Sequence, residues 1–192
     1  MIKTLRQIKI DQRRVLVRVD FNVPFDKRGR IVDDFRIRAV LPTLKYLTAR
    51  GAKVILLAHL GRPGGKKVKK YSLRPVARRL SKLFYPKPGR PRKRVIFVED
   101  CVGEIPKSAV EKMNQGDVIL LENLRFYPGE ENNDSDFAKQ LAELGDIFVN
   151  DAFGVSHRAH ASTAGITKFL PSCAGFLLKK EILALGKITE SP

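Results

Sequence analysis

The feature that most constrains this chain is a set of short, β-rich apolar runs spaced far apart: Val15–Val19, Val54–Ala58, Val95–Val98, Val118–Leu121 and Ile147–Val149. They are β-rich and continuous rather than alternating. Such runs suit parallel strands covered on both faces, and parallel neighbours need long crossover connections between them. Helical patterns fill the intervals. Asp33 and Asp34 precede Ile37, Val40, Leu41, Leu44 and Leu47, and Gly51 follows as a stop. That spacing predicts a capped amphipathic helix with acidic residues at its positive end, which Pro42 kinks or whose start it displaces. A second helix opens at Ser72, turns Leu73, Val76, Ala77, Leu80, Leu83 and Phe84 inward and Arg74, Arg78, Arg79 and Lys82 outward, and ends at Pro86-Lys-Pro-Gly-Arg-Pro. Ile105–Gln115, Asp134–Leu144 and Phe176–Ile188 supply further helices. The fold class is therefore α/β, with a mostly parallel sheet.

A length of 192 residues, with 43% hydrophobic and 30% charged side chains, suits one globular domain or one lobe of a larger protein. No apolar run reaches the roughly 18 residues of a membrane span. The opening MIKTLRQIKIDQRR has no signal-peptide core, so a cytoplasmic setting is expected. Cys101 and Cys173 read as idle thiols rather than a disulfide framework. The net charge of +17 is unevenly distributed: Phe35 to Val98 contains no Asp or Glu and about half of the Lys and Arg. Polyanions are attracted to such a surface, either a nucleic acid or a small, multiply charged substrate.

In open α/β sheets, ligands bind beyond the carboxyl ends of the strands. Four runs end there in polar residues: Asp20-Phe-Asn22, His59-Leu-Gly-Arg62, Glu122-Asn-Leu-Arg125, and Asn150-Asp151 followed by Ala-Phe-Gly-Val-Ser-His157-Arg158-Ala-His160. Arginine presents a fixed fork of donors that matches phosphate and carboxylate oxygens in pairs. Several arginines on one face describe a cradle for a compact anion, which Arg36 could join from a helix start. His157 and His160 sit one helical turn apart, but with Arg158 between them and no Cys nearby they do not read as a metal site. Gly61-Arg-Pro-Gly-Gly-Lys66 lacks P-loop spacing, because Leu60 stands at the first Gly position and Lys67 at the Ser or Thr position. No G-x-G-x-x-G follows the first strand, so a nucleotide site on this chain is not expected.

RVDFNVP (18–24), DDFRIRAVLPTL (33–44), GAKVILLAHLGRP (51–63), ENLRF (122–126) and NDAFGVSHRAHAS (150–162) resemble the phosphoglycerate kinase family, in that family's order and approximate spacing. The resemblance runs the length of the chain but covers only the family's amino-terminal half. It implies a Rossmann-like three-layer sandwich: residues 1–175 form the lobe that binds 3-phosphoglycerate or 1,3-bisphosphoglycerate, and 176–192 start the helix between lobes. The nucleotide-binding lobe, which takes Mg-ATP or Mg-ADP, has no counterpart here, so no cofactor is expected on this chain and it is expected to be inactive alone. The resemblance implies that Asp20 and Asn22 hold the glycerate end, with Phe21, Leu60 and Gly61 in the same binding blocks. It implies that Arg36, His59, Arg62, Arg125 and Arg158 surround the phosphate and carboxylate, and that Arg36 is catalytic, reaching the transferring phosphoryl group.

That chemistry suits the residue inventory. The acceptor is a carboxylate, ionised at neutral pH, so no general base is needed and positioning and charge stabilisation remain. His59 then reads as a hydrogen-bond donor. Gly-Val-Ser-His replaces the family's more usual Gly-Thr-Ala-His before Arg158, and Lys66–Lys70 and Lys87–Arg94 are more basic than the family leads one to expect. The alternative reading is a basic nucleic-acid-binding module that reuses this lobe. No metal ligands and no membrane partner are expected, and the chain reads as monomeric.

Overall fold

The computed structural model describes residues 3–86 and 94–190. In chain order the elements are β1 (Arg14–Arg18), α1 (Phe35–Ala39), α2 (Leu41–Ala49), β2 (Lys53–Leu57), α3 (Arg74–Phe84) and β3 (Ile96–Val98). They continue with α4 (Glu104–Glu111), β4 (Val118–Leu121), α5 (Pro128–Glu131), α6 (Ser135–Ala142), β5 (Ile147–Asn150), β6 (Ser172–Ala174) and α7 (Phe176–Glu190), with short 3-10 turns between several of them. The strands form one six-stranded sheet in the order β3-β4-β2-β1-β5-β6. Every pairing in it is parallel.

Side chains alternate across the sheet and so feed two cores. Val15, Val17, Val54, Leu56, Val118 and Leu120 pack with Ile37 and Leu44 of the first two helices and with Val76 and Leu80 of α3. Leu16, Ile55, Leu57, Ile119 and Leu121 pack on the other face with Val110 of α4 and with Phe137 and Leu141 of α6. This burial of both faces explains why the strands read as continuous apolar runs.

All five expected strands are present, with their ends within a residue of the sequence reading. The first expected helix is split at Val40, with Pro42 in the opening turn of α2, where its missing N–H is harmless. The acidic pair before α1 divides its work: Asp33 Oδ1 accepts the Phe35 N–H at 2.8 Å, while Asp34 pairs with Arg38 and Arg79. Ser72 lies ahead of α3 rather than inside it, and its hydroxyl accepts the Arg74 N–H at 3.3 Å. The sequence reading did not contain β6 or α5. Of the basic run 87–94 and the Pro-rich stop after Phe84, residues 87–93 lie outside the described residues. No described helix is long and apolar enough to cross a membrane.

Candidate functional site

The strand order doubles back at β1: β2, β3 and β4 lie on one side of it, and β5 and β6 on the other. A crevice forms at such a switch point beyond the carboxyl ends of the strands. There the chain encloses a cleft of about 340 Å³ lined by Asp20, Asn22, Arg36, His59, Gly61, Arg62, Arg125, Gly154, Val155 and Arg158. Loops that follow β1, β2, β4 and β5, and the start of α1, thus converge on one place. Phe21 and Leu60 do not line it, because their side chains are buried in the core. Gly154 and Val155, which do line it, enter the sequence reading only as part of the Gly-Val-Ser-His departure and not as site residues. They follow β5 within the stretch that leads to Arg158.

The glycerate-end candidates are tied to the β2 loop. Asp20 pairs with the Arg36 guanidinium and accepts the Asn22 N–H at 3.2 Å. Asn22 Oδ1 accepts the Gly61 N–H at 3.0 Å, and Arg125 Nη1 donates to the Gly61 carbonyl at 2.8 Å. Both halves of the Gly61 backbone are therefore engaged. Gly61 has φ +63°, and a Cβ on it would run into the Tyr71 ring, so only glycine fits this turn. Beneath it, buried Asn123 accepts from the Leu60 and Arg125 N–H groups and donates to the Leu60 and Tyr71 carbonyls. The tips of β2 and β4 are thereby locked together.

Arg125 is only 3% exposed, with Glu131 Oε1 3.2 Å from its Nε. Neither its Nε nor its Nη2 makes a hydrogen bond within the protein. Burial lowers its pKa, partly countered by Glu131 and reinforced by Arg158 and Arg62. Nη2 is the buried donor that neither a hydrogen bond nor the Glu131 ion pair engages, and such a donor in a cationic cleft matches an incoming anion.

His59 is buried, and its pKa is pushed down to about 2 by desolvation, then by Arg18, Arg125, Arg158 and His160. It is therefore neutral at physiological pH and cannot serve as a cationic partner.

Two residues of the polar strand tips are spent on structure. Glu122 Oε1 accepts the Leu73 N–H at 2.8 Å and its Oε2 the Ser72 hydroxyl at 2.7 Å, which holds the start of α3. Asp151 is buried, and its Oδ1 accepts the Leu177 and Leu178 N–H groups at the start of α7. Burial raises the Asp151 pKa, against those hydrogen bonds. Among the described residues no group of three or more His, Cys, Asp or Glu is arranged to hold a metal ion.

A parallel α/β lobe with guanidinium groups gathered round a small cleft at its strand ends defines a protein equipped to hold a compact anion. The phosphoglycerate kinase family model matches residues 5–192. The phosphoglycerate kinase of Coprothermobacter proteolyticus is 55% identical over 191 residues, which are 100% of this chain and 47% of that protein. That of Dictyoglomus turgidum is 56% identical, over 100% of this chain and 46% of the relative. The solved structure of phosphoglycerate kinase from Coxiella burnetii superposes with a TM-score of 0.86 at 39% identity, covering 100% of this chain and 46% of that one. The structure from Pyrococcus horikoshii gives 0.85 at 34% identity, over 96% and 45%. The chain belongs to the phosphoglycerate kinase family, and it spans about half the length of the curated relatives it matches.

Proposed function

We propose that this chain is the 3-phosphoglycerate-binding lobe of a cytoplasmic, monomeric phosphoglycerate kinase, residues 1–175 forming the lobe and 176–192 beginning the connection to a nucleotide-binding partner lobe. The observation that carries the reading is the convergence of Asp20, Asn22, Arg36, Arg62, Arg125 and Arg158 on one cleft at the sheet's switch point. Asn22 and Asp20 orient the glycerate, while Arg62, Arg125 and Arg158 neutralise phosphate and carboxylate. Arg36 is half-exposed at the start of α1 and held by Asp20, where its charge can follow a phosphoryl group across the cleft. The substrate carboxylate is already ionised, so the chain's task is to orient it and stabilise spreading negative charge. Mg-ATP or Mg-ADP supplies the other reactant from the partner lobe.

Titration calorimetry with 3-phosphoglycerate and with Mg-ATP, beside a coupled kinase assay, tests this. For residues 1–192 taken alone, weak binding of the first, no binding of the second and no turnover are expected, because closing the site against water is the work of the nucleotide-binding lobe. Binding of Mg-ATP without 3-phosphoglycerate would overturn the assignment.

The loop from Arg62 to Tyr71 leaves the cleft and returns beneath it, and Lys66, Lys69 and Lys70 on it are exposed. Lys67 instead pairs with Asp100 at 2.6 Å. Changing Lys66, Lys69 and Lys70 to glutamine is expected to slow 3-phosphoglycerate association by about three- to tenfold at low salt, the difference closing as salt screens it. Stopped-flow rates at two ionic strengths measure this, and equal rates at low salt would exclude steering by the loop. A nucleic-acid module would instead gain affinity with oligonucleotide length.

A further inference from the structure

Under the cleft lies a buried polar chain that the binding roles above do not use. Arg18 ends β1 inside the protein with no exposed surface, and Glu130 of α5 and Ser162 are equally enclosed. Arg18 Nε donates to Ser162 Oγ at 2.8 Å, and Ser162 Oγ donates to Glu130 Oε1 at 2.6 Å. The Ser162 N–H also donates to Glu130 Oε2, at 3.0 Å. One hydroxyl thus spends its donor on the carboxylate and a lone pair on the guanidinium, bridging two charges whose nearest atoms are 3.8 Å apart. Arg18 Nη1 donates to the Val19 carbonyl at 2.5 Å. Its Nη2 lies 3.1 Å from Nδ1 of His59.

A guanidinium has no acceptor, so this last contact is a hydrogen bond only when His59 Nδ1 carries a lone pair. The ring proton of the neutral imidazole then sits on Nε2. We propose that Arg18 is a positioning residue, anchored from behind by Ser162 and Glu130, that fixes His59 as the Nε2–H tautomer so that the imidazole offers the anion in the cleft a neutral donor. The opposite tautomer would turn a lone pair toward the ligand oxygens. The groups facing His59 are Arg18 from β1, Arg125 after β4, and Arg158 and His160 after β5, and they all disfavour a further positive charge on the ring. The role as a donor to 3-phosphoglycerate rests on the function proposed above, whereas the tautomer itself is a property of the free chain.

Nitrogen-15 NMR of the imidazoles separates the two, and the chain has only three histidines to assign. In the unsubstituted chain His59 is expected to show a pyrrole-type Nε2 and a pyridine-type Nδ1, unchanged from about pH 5 to 8. Ser162→Ala cuts the bridge while leaving Arg18 and Glu130 in place. It is expected to mix the His59 tautomers and weaken 3-phosphoglycerate binding by about tenfold. Ser162→Thr restores the hydroxyl and should restore both readouts, with exposed His157 unchanged throughout. A His59 that carries its proton on Nδ1, or that titrates in this range, overturns the proposal even if Ser162→Ala fails to fold. So does a folded Ser162→Ala chain with a single Nε2–H tautomer and full affinity. Absence of 3-phosphoglycerate binding by the unsubstituted chain would refute the proposed function and leave the tautomer result standing.

Discussion

Glu130→Ala is expected to lower the unfolding free energy by about 3–5 kcal/mol, the loss typical of breaking a buried ion pair from one side. The carboxylate is fully enclosed, accepts both the hydroxyl and the N–H of Ser162, and is the counter-charge nearest to buried Arg18. Burial lowers the Arg18 pKa, and Glu130 is the largest influence holding it up. Without that carboxylate a fully buried guanidinium keeps only the weaker influence of Asp20. Domains of this size have total stabilities of about 5–15 kcal/mol, so the melting midpoint should fall by roughly 6–20 °C. Glu99→Ala is the control, because Glu99 is exposed and its pair with exposed Arg74 should contribute under about 1 kcal/mol. The double variant Arg18→Met with Glu130→Leu should recover part of the loss, since no lone charge then stays buried. Urea unfolding of the four proteins measures all of this, and a Glu130→Ala cost under about 1 kcal/mol would show that the network carries little stability.

The same network shows where the sequence stops being legible. The strands were readable because burial on both faces imposes continuous runs, and the break before α2 was readable because proline fits only a helix start. The cleft was readable because short polar blocks follow long apolar runs at strand ends. Arg18 was hidden because it stands within such a run, where it reads as part of the first strand. An arginine inside a strand otherwise covered on both faces must find a buried partner, and that was the available signal. Its partner Glu130 comes from a four-residue helix that has no periodicity to detect. Ser172–Ala174 pairs with β5 although Ser, Cys and Ala have little strand preference, so its place follows from tertiary packing alone. Glu122 and Asp151 look like Asp20 and His59 in the sequence, each following a strand. Only the position of a neighbouring helix start decides that they cap helices rather than line the cleft.

Arg125→Met is expected to reduce 3-phosphoglycerate affinity by about 30-fold or more while changing stability by no more than about 1 kcal/mol. Methionine keeps most of the side-chain length and removes the charge. The free protein loses the Nη1 bond to the Gly61 carbonyl, which contributes about 1 kcal/mol, and the ion pair with half-exposed Glu131, which contributes less than about 1 kcal/mol. Against that, it no longer buries a guanidinium whose Nη2 has no partner and whose neighbours include Arg158 and Arg62. These changes oppose each other in the free chain. They add in the complex, where an anion would have satisfied the missing donors and now cannot. Arg125→Lys should fall between the two proteins, because an ammonium keeps the charge but cannot match two oxygens with a planar fork. Calorimetric titration with 3-phosphoglycerate, paired with urea unfolding of each variant, separates affinity from stability. Affinity within threefold of the unsubstituted chain would remove Arg125 from the binding set. A variant that unfolds outright would instead make Arg125 a structural residue, with its unpaired donors belonging to the fold and not to the ligand.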